Sequence, residues 1–393
     1  MDWNSTRLET PSCQDMIHFN NAGSSLMPNP VLNEVLEYLH KENQIGGYEL
    51  MFQEAARINQ VYASIAKLIN AKDNEIALFE NATRAFQAMV YGMSFEPGDI
   101  ILTSSSEYIS NYLGFLHLKK TKGIELVHLK EDEYGQTSLE DFKLKCKELK
   151  NIKLLSLCHI PTQSGLINMA KEFGEVAREE GIFYFLDTTQ SVGHLHIDVE
   201  DIGCDAIVGT GRKYLRGPRG TGFLYVKKSK QSEINDYVVD NLSATLVDSD
   251  DYKVIEGIKA KETWEKNYAL VLGLGKASEY ALKIGTKDIQ KRCLDLGHIF
   301  REKLSQIPKL KVQDPGLKQS ALVTFSVENY SSEILCTKLL EKKINTIWVP
   351  SDRALLDFKP RAISDVLRAS LHYFNTEDEI DSFIETLKSL IKE

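Results

Sequence analysis

The chain has 393 residues, of which 42% are hydrophobic, so it can bury a sizeable core, and its length suits two or three structural units. Acidic residues (56) outnumber Lys plus Arg (47), giving a formal net charge of -9. That balance argues against nucleic-acid binding, which demands a basic face. The six cysteines are scattered without a CxxC pair. This argues against a disulfide framework or zinc site and suits reduced thiols in a cytoplasmic protein. No apolar run reaches the ~18 residues of a membrane span, and MDWNSTRLETPSCQDM lacks the basic start and apolar centre of a secretory signal.

In chain order, EIALFE (75 to 80) reads as a strand, followed by the helix TRAFQAMVYGM, and DIILTSSSEY (99 to 108) reads as another strand. KLLSLCHI (153 to 160) is a buried strand. NMAKEFGEVAREEGI has helical spacing at Phe173, Val176 and Ala177 and ends at Gly181. IFYFLD (182 to 187), CDAIVGT (204 to 210) and GFLYVKK (222 to 228) complete the series. Apolar runs joined by helices predict a mostly parallel sheet covered on both faces. After residue 262, TWEKNYALVLGLGKASEYALKIG suits a helix linking two domains. Two further helical patterns, SSEILCTKLLEKK and TEDEIDSFIETLKSLIKE, then alternate with the strands ALVTFSV and TIWVP. The expected organisation is a large domain over 16–262 and a smaller α/β domain over 263–393, with segment 1–15 packing nearby. Segments 45–57 and 236–262 read as loops.

Open α/β sheets gather ligands at the C-terminal ends of their strands. Just past those ends stand Asn81, Ala82 and Thr83, opening a helix; then Glu107 and Tyr108, Thr162 and Gln163, Asp187 and Gln190, and finally Thr210, Arg212 and Lys213. A helix N-terminus seats phosphate through its backbone N–H groups. With a lysine, an aspartate, an aromatic ring and cationic groups, one rim would hold what pyridoxal phosphate requires. Arg212 beside Lys213 would also favour the free amine. Singly, each has a plain structural explanation: a surface lysine, a helix cap, a packed tyrosine, turn glycines. Their conjunction carries the reading.

These motifs resemble those of the fold-type I, class V aminotransferase-like enzymes over nearly the whole chain. The resemblance rests on FNNAGSSLMP (19 to 28), NATRA, SSEYISN, HIPTQSG, LDTTQSVGH, GTGRKYLRGPRGTG (209 to 222) and LRASLHYFNTEDEID (367 to 381). It implies a mostly parallel seven-stranded sheet with a smaller C-terminal α/β domain, pyridoxal 5'-phosphate as cofactor, and a homodimer. It further implies that Lys213 links to the cofactor, that Asp187 pairs with the pyridine nitrogen, and that Tyr108 stacks on the ring. Gln190 and Thr162 would lie near the ring, and Ala82, Thr83, Thr210 and Arg212 would hold the phosphate. Arg368 and Asn21 would bind an amino-acid substrate. GRKYLRGPRGTG and ETWEKNYALVLGLG look closest to the branch of hercynylcysteine sulfoxide lyase and isopenicillin N epimerase-like proteins. Where that branch carries Arg-Phe-Glu, this chain has Ala260, Lys261 and Glu262.

Cysteine desulfurases share the fold but need a mobile cysteine, and none stands between Asn345 and Arg368. Cys336 falls in a helical pattern and reads as structural. The favoured activity is therefore β-elimination from a cysteine S-conjugate or S-oxide, releasing pyruvate and ammonia, with Tyr108 protonating the leaving group. A class V aminotransferase or epimerase is the alternative, a desulfurase stands behind it, and a non-catalytic cofactor-binding module comes last. His194 and His196 alternate with apolar residues and suggest no metal site. His159 and His372 fall within site motifs and are candidate substrate contacts.

Overall fold

The computed structural model describes residues 3–391. Its centre is a seven-stranded sheet: β1 (Ile76–Phe79), β2 (Ile100–Ser104), β3 (Glu125–Leu129), β4 (Ile152–Cys158), β5 (Phe183–Asp187), β6 (Ala206–Thr210) and β7 (Gly222–Val226). The strand order is β1-β7-β6-β5-β4-β2-β3. Four neighbouring pairs are parallel. Only β7 runs against its neighbours β6 and β1. The physical reason is the connection: residues 211–221 are too few for the crossover that a parallel pair requires. β2, β5, β6 and β7 are buried at every position, which explains their unbroken apolar runs.

A second sheet of four antiparallel strands lies toward the C-terminus, in the order Leu310–Val312, Leu322–Val327, Asp365–Ser370, Ile347–Pro350. The N-terminal segment joins this part. Ile17–His18 pairs in parallel with Ile344–Asn345, and Asn20 bridges to Ser370. The tied segment thus runs on past residue 15, through Asn20.

The helix expected after residue 262 spans Tyr268–Ile284, and the Asn267 side chain caps it by accepting from Leu270 N at 3.0 Å. It packs against helices Asn29–Ile45 and Ala55–Leu68. The approach is close at Gly273, where an added Cβ would stand 2.6 Å from Val35 Cγ2. Segment 45–57 departs from the loop expected of it. It forms the helix Gly47–Gln53 and the start of Ala55–Leu68, stabilised by packing that its mixed sequence does not advertise. Segment 236–262 contains the hairpin Ala244–Leu246 with Tyr252–Val254.

Arg216 fastens these parts together. It adopts a left-handed φ of 61° and is 1% exposed. Its Nε donates to Leu26 O at 2.9 Å and its Nη1 to Tyr373 Oη at 2.7 Å, while Nη2 donates to Thr10 Oγ1. The guanidinium also lies 4.3 Å from the Phe374 ring centroid. The structure makes this arginine a buried tie among the N-terminal segment, the lysine loop and the C-terminal part.

Candidate active site

The C-terminal ends of several central strands open onto one cavity of about 450 Å³. On one side stands the first turn of helix Ala82–Gly92. Asn81 is extended, and its Oδ1 accepts from Arg84 N at 3.0 Å. Ala82 and Thr83 line the cavity. N–H groups in a first helical turn lack intrahelical acceptors, so this turn presents donors and a positive dipole end. Gly222 makes the placement possible: an added Cβ would meet Asn81 C at 2.6 Å and Ala82 N at 2.9 Å. Arg212 and Arg219 line the same side. Burial first, and then the neighbouring Arg219, push the Arg212 guanidinium down from its ordinary value. Two cations held together at a helix N-terminus make a seat for an anion.

Asp187 ends β5 on the opposite wall and is 5% exposed. Its Oδ1 accepts from Thr189 N at 2.8 Å and its Oδ2 from Asn111 Nδ2 at 2.9 Å. Lys213 follows β6, the strand beside β5. Its Nζ lies 6.0 Å from the Tyr108 ring centroid. Burial pushes the Lys213 amine down to about 7, helped by Arg212 and Arg368 and opposed by Asp187. The amine is thus poised between its charged and nucleophilic forms near neutral pH. Thr162 and Gln190 complete this wall, with Gln190 Nε2 donating to Thr162 Oγ1 at 3.1 Å.

Residues 17–383 match the family described as aminotransferase class-V. The chain belongs to this family. A curated relative named "Probable cysteine desulfurase", from Methanothermobacter thermautotrophicus, is 28% identical over 98% of this chain and 97% of its own length. Among solved structures, the apo cysteine desulfurase of Thermococcus onnurineus NA1 superposes with a TM-score of 0.92 at 26% identity, covering 99% of this chain and 98% of that one. C-DES, described as a cystine C–S lyase and solved with its product cysteine persulfide, superposes with a TM-score of 0.85 at 21% identity, covering 96% of this chain and 99% of its own. The architecture is therefore fold-type I, as the motifs implied. The first two carry the desulfurase name and the third a C–S lyase name; none of them bears the name of the sulfoxide lyase or epimerase branch that the lysine-loop motifs suggested.

Within this class V site, the cavity brings together Ala82, Thr83, Tyr108, Thr162, Asp187, Gln190, Arg212 and Lys213. Other expected residues are not among those that line the cavity. Thr210 donates to Thr221 O at 3.0 Å and accepts from Arg212 Nη1 at 3.2 Å, so it positions Arg212 and does not line the cavity. Arg368 Nη1 donates to the Thr162 carbonyl at 2.8 Å and its hydroxyl at 3.0 Å. Asn21 is wholly buried away from the cavity, with its Nδ2 donating to Ser370 O at 2.8 Å. Its amide is consumed in joining the N-terminal segment to the C-terminal sheet.

The histidine expectations are corrected too. His372 donates from Nε2 to Tyr214 O at 2.7 Å and accepts Tyr373 N at Nδ1, fixing the residue after Lys213. His159 pairs with Ser191 Oγ at 3.1 Å. Neither ring lines the cavity. Sequence reasoning left out Asn111, Cys158, Thr189 and Arg219, all of which do. For Asn111 the signal was its place one helical turn after Glu107.

Glu107, Cys158 and Asp187 offer ligand atoms within 4.8 Å of one another. Hydrogen bonds cross this group: Cys158 Sγ donates to Glu107 Oε1 at 3.3 Å, and burial pushes the thiol well above its ordinary range. Such a thiol is neither a ready metal ligand nor a nucleophile.

Proposed function

We propose that the protein is a pyridoxal-phosphate enzyme that cleaves the C–S bond of a cysteine-derived amino acid by β-elimination. The observation that carries the cofactor is a buried lysine and aspartate at the ends of adjacent strands, facing a cavity with an anion seat at its far side. The residues fit the group. Thr189 Oγ1 and Gln190 Oε1 are buried polar atoms without a partner among the described residues, and both residues line the cavity. The family membership and the solved C-DES structure with glycine linked to a PLP cofactor support the same reading.

Ala82 and Thr83 N–H groups, Arg212 and Arg219 would hold the phosphate. Asp187 would hold the proton on the pyridine nitrogen, and the Tyr108 ring would cover one face. When bound, pyridoxal phosphate supplies an electron-withdrawing ring that stabilises negative charge at the substrate Cα. Lys213 Nζ, free as an amine near neutral pH, would take the Cα proton. Arg368, whose Nη1 holds the cavity-lining Thr162 and whose Nε has no partner among the described residues, would turn from Thr162 to bind the carboxylate as a bidentate fork. The balanced reaction consumes one water and converts the S-conjugate to a thiol, pyruvate and ammonium.

Elimination is favoured over persulfide formation on this chain by what occupies segment 346–368, which contains no cysteine. Ala354, Phe358 and Ile363 are buried there against Val349 and Val366. Arg361 ties the segment down through Asp357 Oδ1 at 2.8 Å and through Gln313 O. The segment is packed and hydrogen-bonded, with no thiol to deliver. Exposed Leu32, Leu36 and Leu39 along helix Asn29–Ile45, with Phe52 beyond, support the dimer that the resemblance implies.

The test is product analysis with cofactor-loaded protein and a panel of cysteine, S-conjugated cysteines and a cysteine-conjugate S-oxide. Pyruvate from a conjugate, lost in Lys213→Ala, is the expected result. Alanine in place of pyruvate would move the reading to desulfuration onto an external acceptor. An oxo acid formed only with an amino acceptor would move it to transamination.

A further inference from the structure

Behind Asp187 lies a carboxyl that the reaction does not use. Glu107 is 5% exposed, and five donors converge on it. Thr103 Oγ1 and Ser156 Oγ reach Oε2 at 3.1 and 2.7 Å. Tyr108 N, Asn111 Nδ2 and Cys158 Sγ reach Oε1 at 2.8, 3.0 and 3.3 Å. The same Asn111 nitrogen also donates to Asp187 Oδ2 at 2.9 Å. One amide nitrogen therefore serves two buried carboxyls with its two hydrogens.

An asparagine amide can present either oxygen or nitrogen, and its surroundings decide which. With Glu107 accepting, the nitrogen must face both carboxyls. Without Glu107, the amide loses one of the two acceptors that hold its nitrogen, and only Asp187 is left to orient it. Resting on the cofactor reading above, we propose that Glu107 is a positioning residue that acts through Asn111 to hold the Asp187 carboxyl in the hydrogen-bonded placement that a pyridinium nitrogen needs.

The electrostatics agree with this geometry. Burial pushes the Glu107 carboxyl up; Ser156, Asn111 and Tyr108 oppose the shift, and the neighbouring Asp187 adds to it. Glu107 Oε1 accepts from Asn111 Nδ2 and Tyr108 N in either protonation state. Glutamine can reproduce that pattern. Leucine of similar size cannot.

The experiment titrates full-length protein with pyridoxal phosphate and records the visible absorption of the bound cofactor from acid to neutral pH. The variants are Glu107→Gln, Glu107→Leu, Asn111→Ala and the Leu/Ala double. Glu107→Gln should match the wild type in affinity and pH profile. Glu107→Leu and Asn111→Ala should each bind roughly 10- to 100-fold more weakly, the loss expected when a hydrogen bond to a charged group goes. Both should also lose the cofactor at higher pH than the wild type, because removing an N–H donor disfavours an ionised carboxylate. The double variant should resemble either single one, since both changes break one chain of contacts.

Wild-type behaviour of Glu107→Leu, additive losses in the double variant, or a Glu107→Gln as impaired as Glu107→Leu would each overturn the proposal. If Glu107→Leu does not fold, Asn111→Ala decides: an unchanged pH profile there overturns it equally. A wild-type protein that captures no pyridoxal phosphate defeats the cofactor reading itself and is distinguishable from all these outcomes.

Discussion

Lys213 Nζ lies 6.0 Å from the Tyr108 ring centroid, in a cavity whose cationic neighbours Arg212 and Arg368 disfavour a third positive charge. Burial is the larger cause of its shift, and the amine falls to about 7. Below that pH the amine is protonated and cannot attack an aldehyde. The rate at which cofactor-free protein captures pyridoxal phosphate should therefore rise with a midpoint near pH 7, against the ordinary lysine value of 10.5. Arg212→Met should move this midpoint upward by removing one of the depressing charges. Stopped-flow absorbance across pH checks both. A midpoint above pH 9 in the wild type would refute the assignment of a depressed lysine.

Gly222 sits where β7 meets the helix N-terminus. Its hydrogen fills space that a methyl group cannot, since a Cβ would stand 2.6 Å from Asn81 C. These are backbone atoms, so no side chain can swing aside. Gly222→Ala must displace the first turn of helix Ala82–Gly92 by several tenths of an ångström or more. Misplacement on that scale is expected to weaken pyridoxal-phosphate binding roughly 10- to 100-fold. Spectral titration gives the affinity, and a thermal melt shows whether the fold survives. Wild-type affinity would mean that the turn does not hold the phosphate.

Arg216 pairs a strained backbone with a strong side-chain network. Its left-handed φ of 61° costs a non-glycine residue something of order 1 kcal/mol. Its guanidinium repays this through Leu26 O, Tyr373 Oη and Thr10 Oγ1. Arg216→Ala keeps the strain and loses the network. It should destabilise the protein by about 3 kcal/mol or more. Arg216→Gly relieves the strain and should lose less, by about 1 kcal/mol. Chemical denaturation of the three proteins measures the order; equal stability of wild type and Arg216→Ala would dismiss the tie.

What was legible in the sequence follows from which forces act locally. The strands of the central sheet were readable because burial on both faces demands unbroken apolar runs such as IFYFLD and CDAIVGT. That Lys213, Asp187 and the NATRA turn gather at one cavity was readable because all three follow the C-terminal ends of sheet strands. Helices Asn29–Ile45 and Thr286–Ser305 were not recognised: their apolar faces are diluted by charged residues and are defined by partners distant in sequence. Asn21 and Thr210 were assigned to the site because their motifs neighbour it. Which wall a side chain faces depends on tertiary contacts such as Asn21 with Ser370, and no local pattern encodes those. Arg219 is not legible for the same reason: a loop residue shows its direction only once the loop is folded.

His194 links this buried architecture to acid stability. Its Nδ1 donates to Gln190 O at 3.2 Å and its Nε2 accepts from Ala321 N at 3.1 Å. The ring stacks on Tyr214, with centroids 3.9 Å apart. Both nitrogens are thereby committed to the neutral tautomer, and burial pushes the ring down to about 3 from an ordinary 6.5. His159, at about 4, acts in the same sense. The unfolded chain takes up these protons as pH falls below 6.5, while the native chain does so only near 3 to 4. Stability should therefore be lost across that window, at up to about 1.4 kcal/mol per pH unit for each histidine. His194→Gln removes one titrating group. It should lower stability at pH 7 yet flatten its decline toward pH 5, read from denaturation midpoints at both pH values. An equally steep decline in that variant would show that His194 takes up no differential proton.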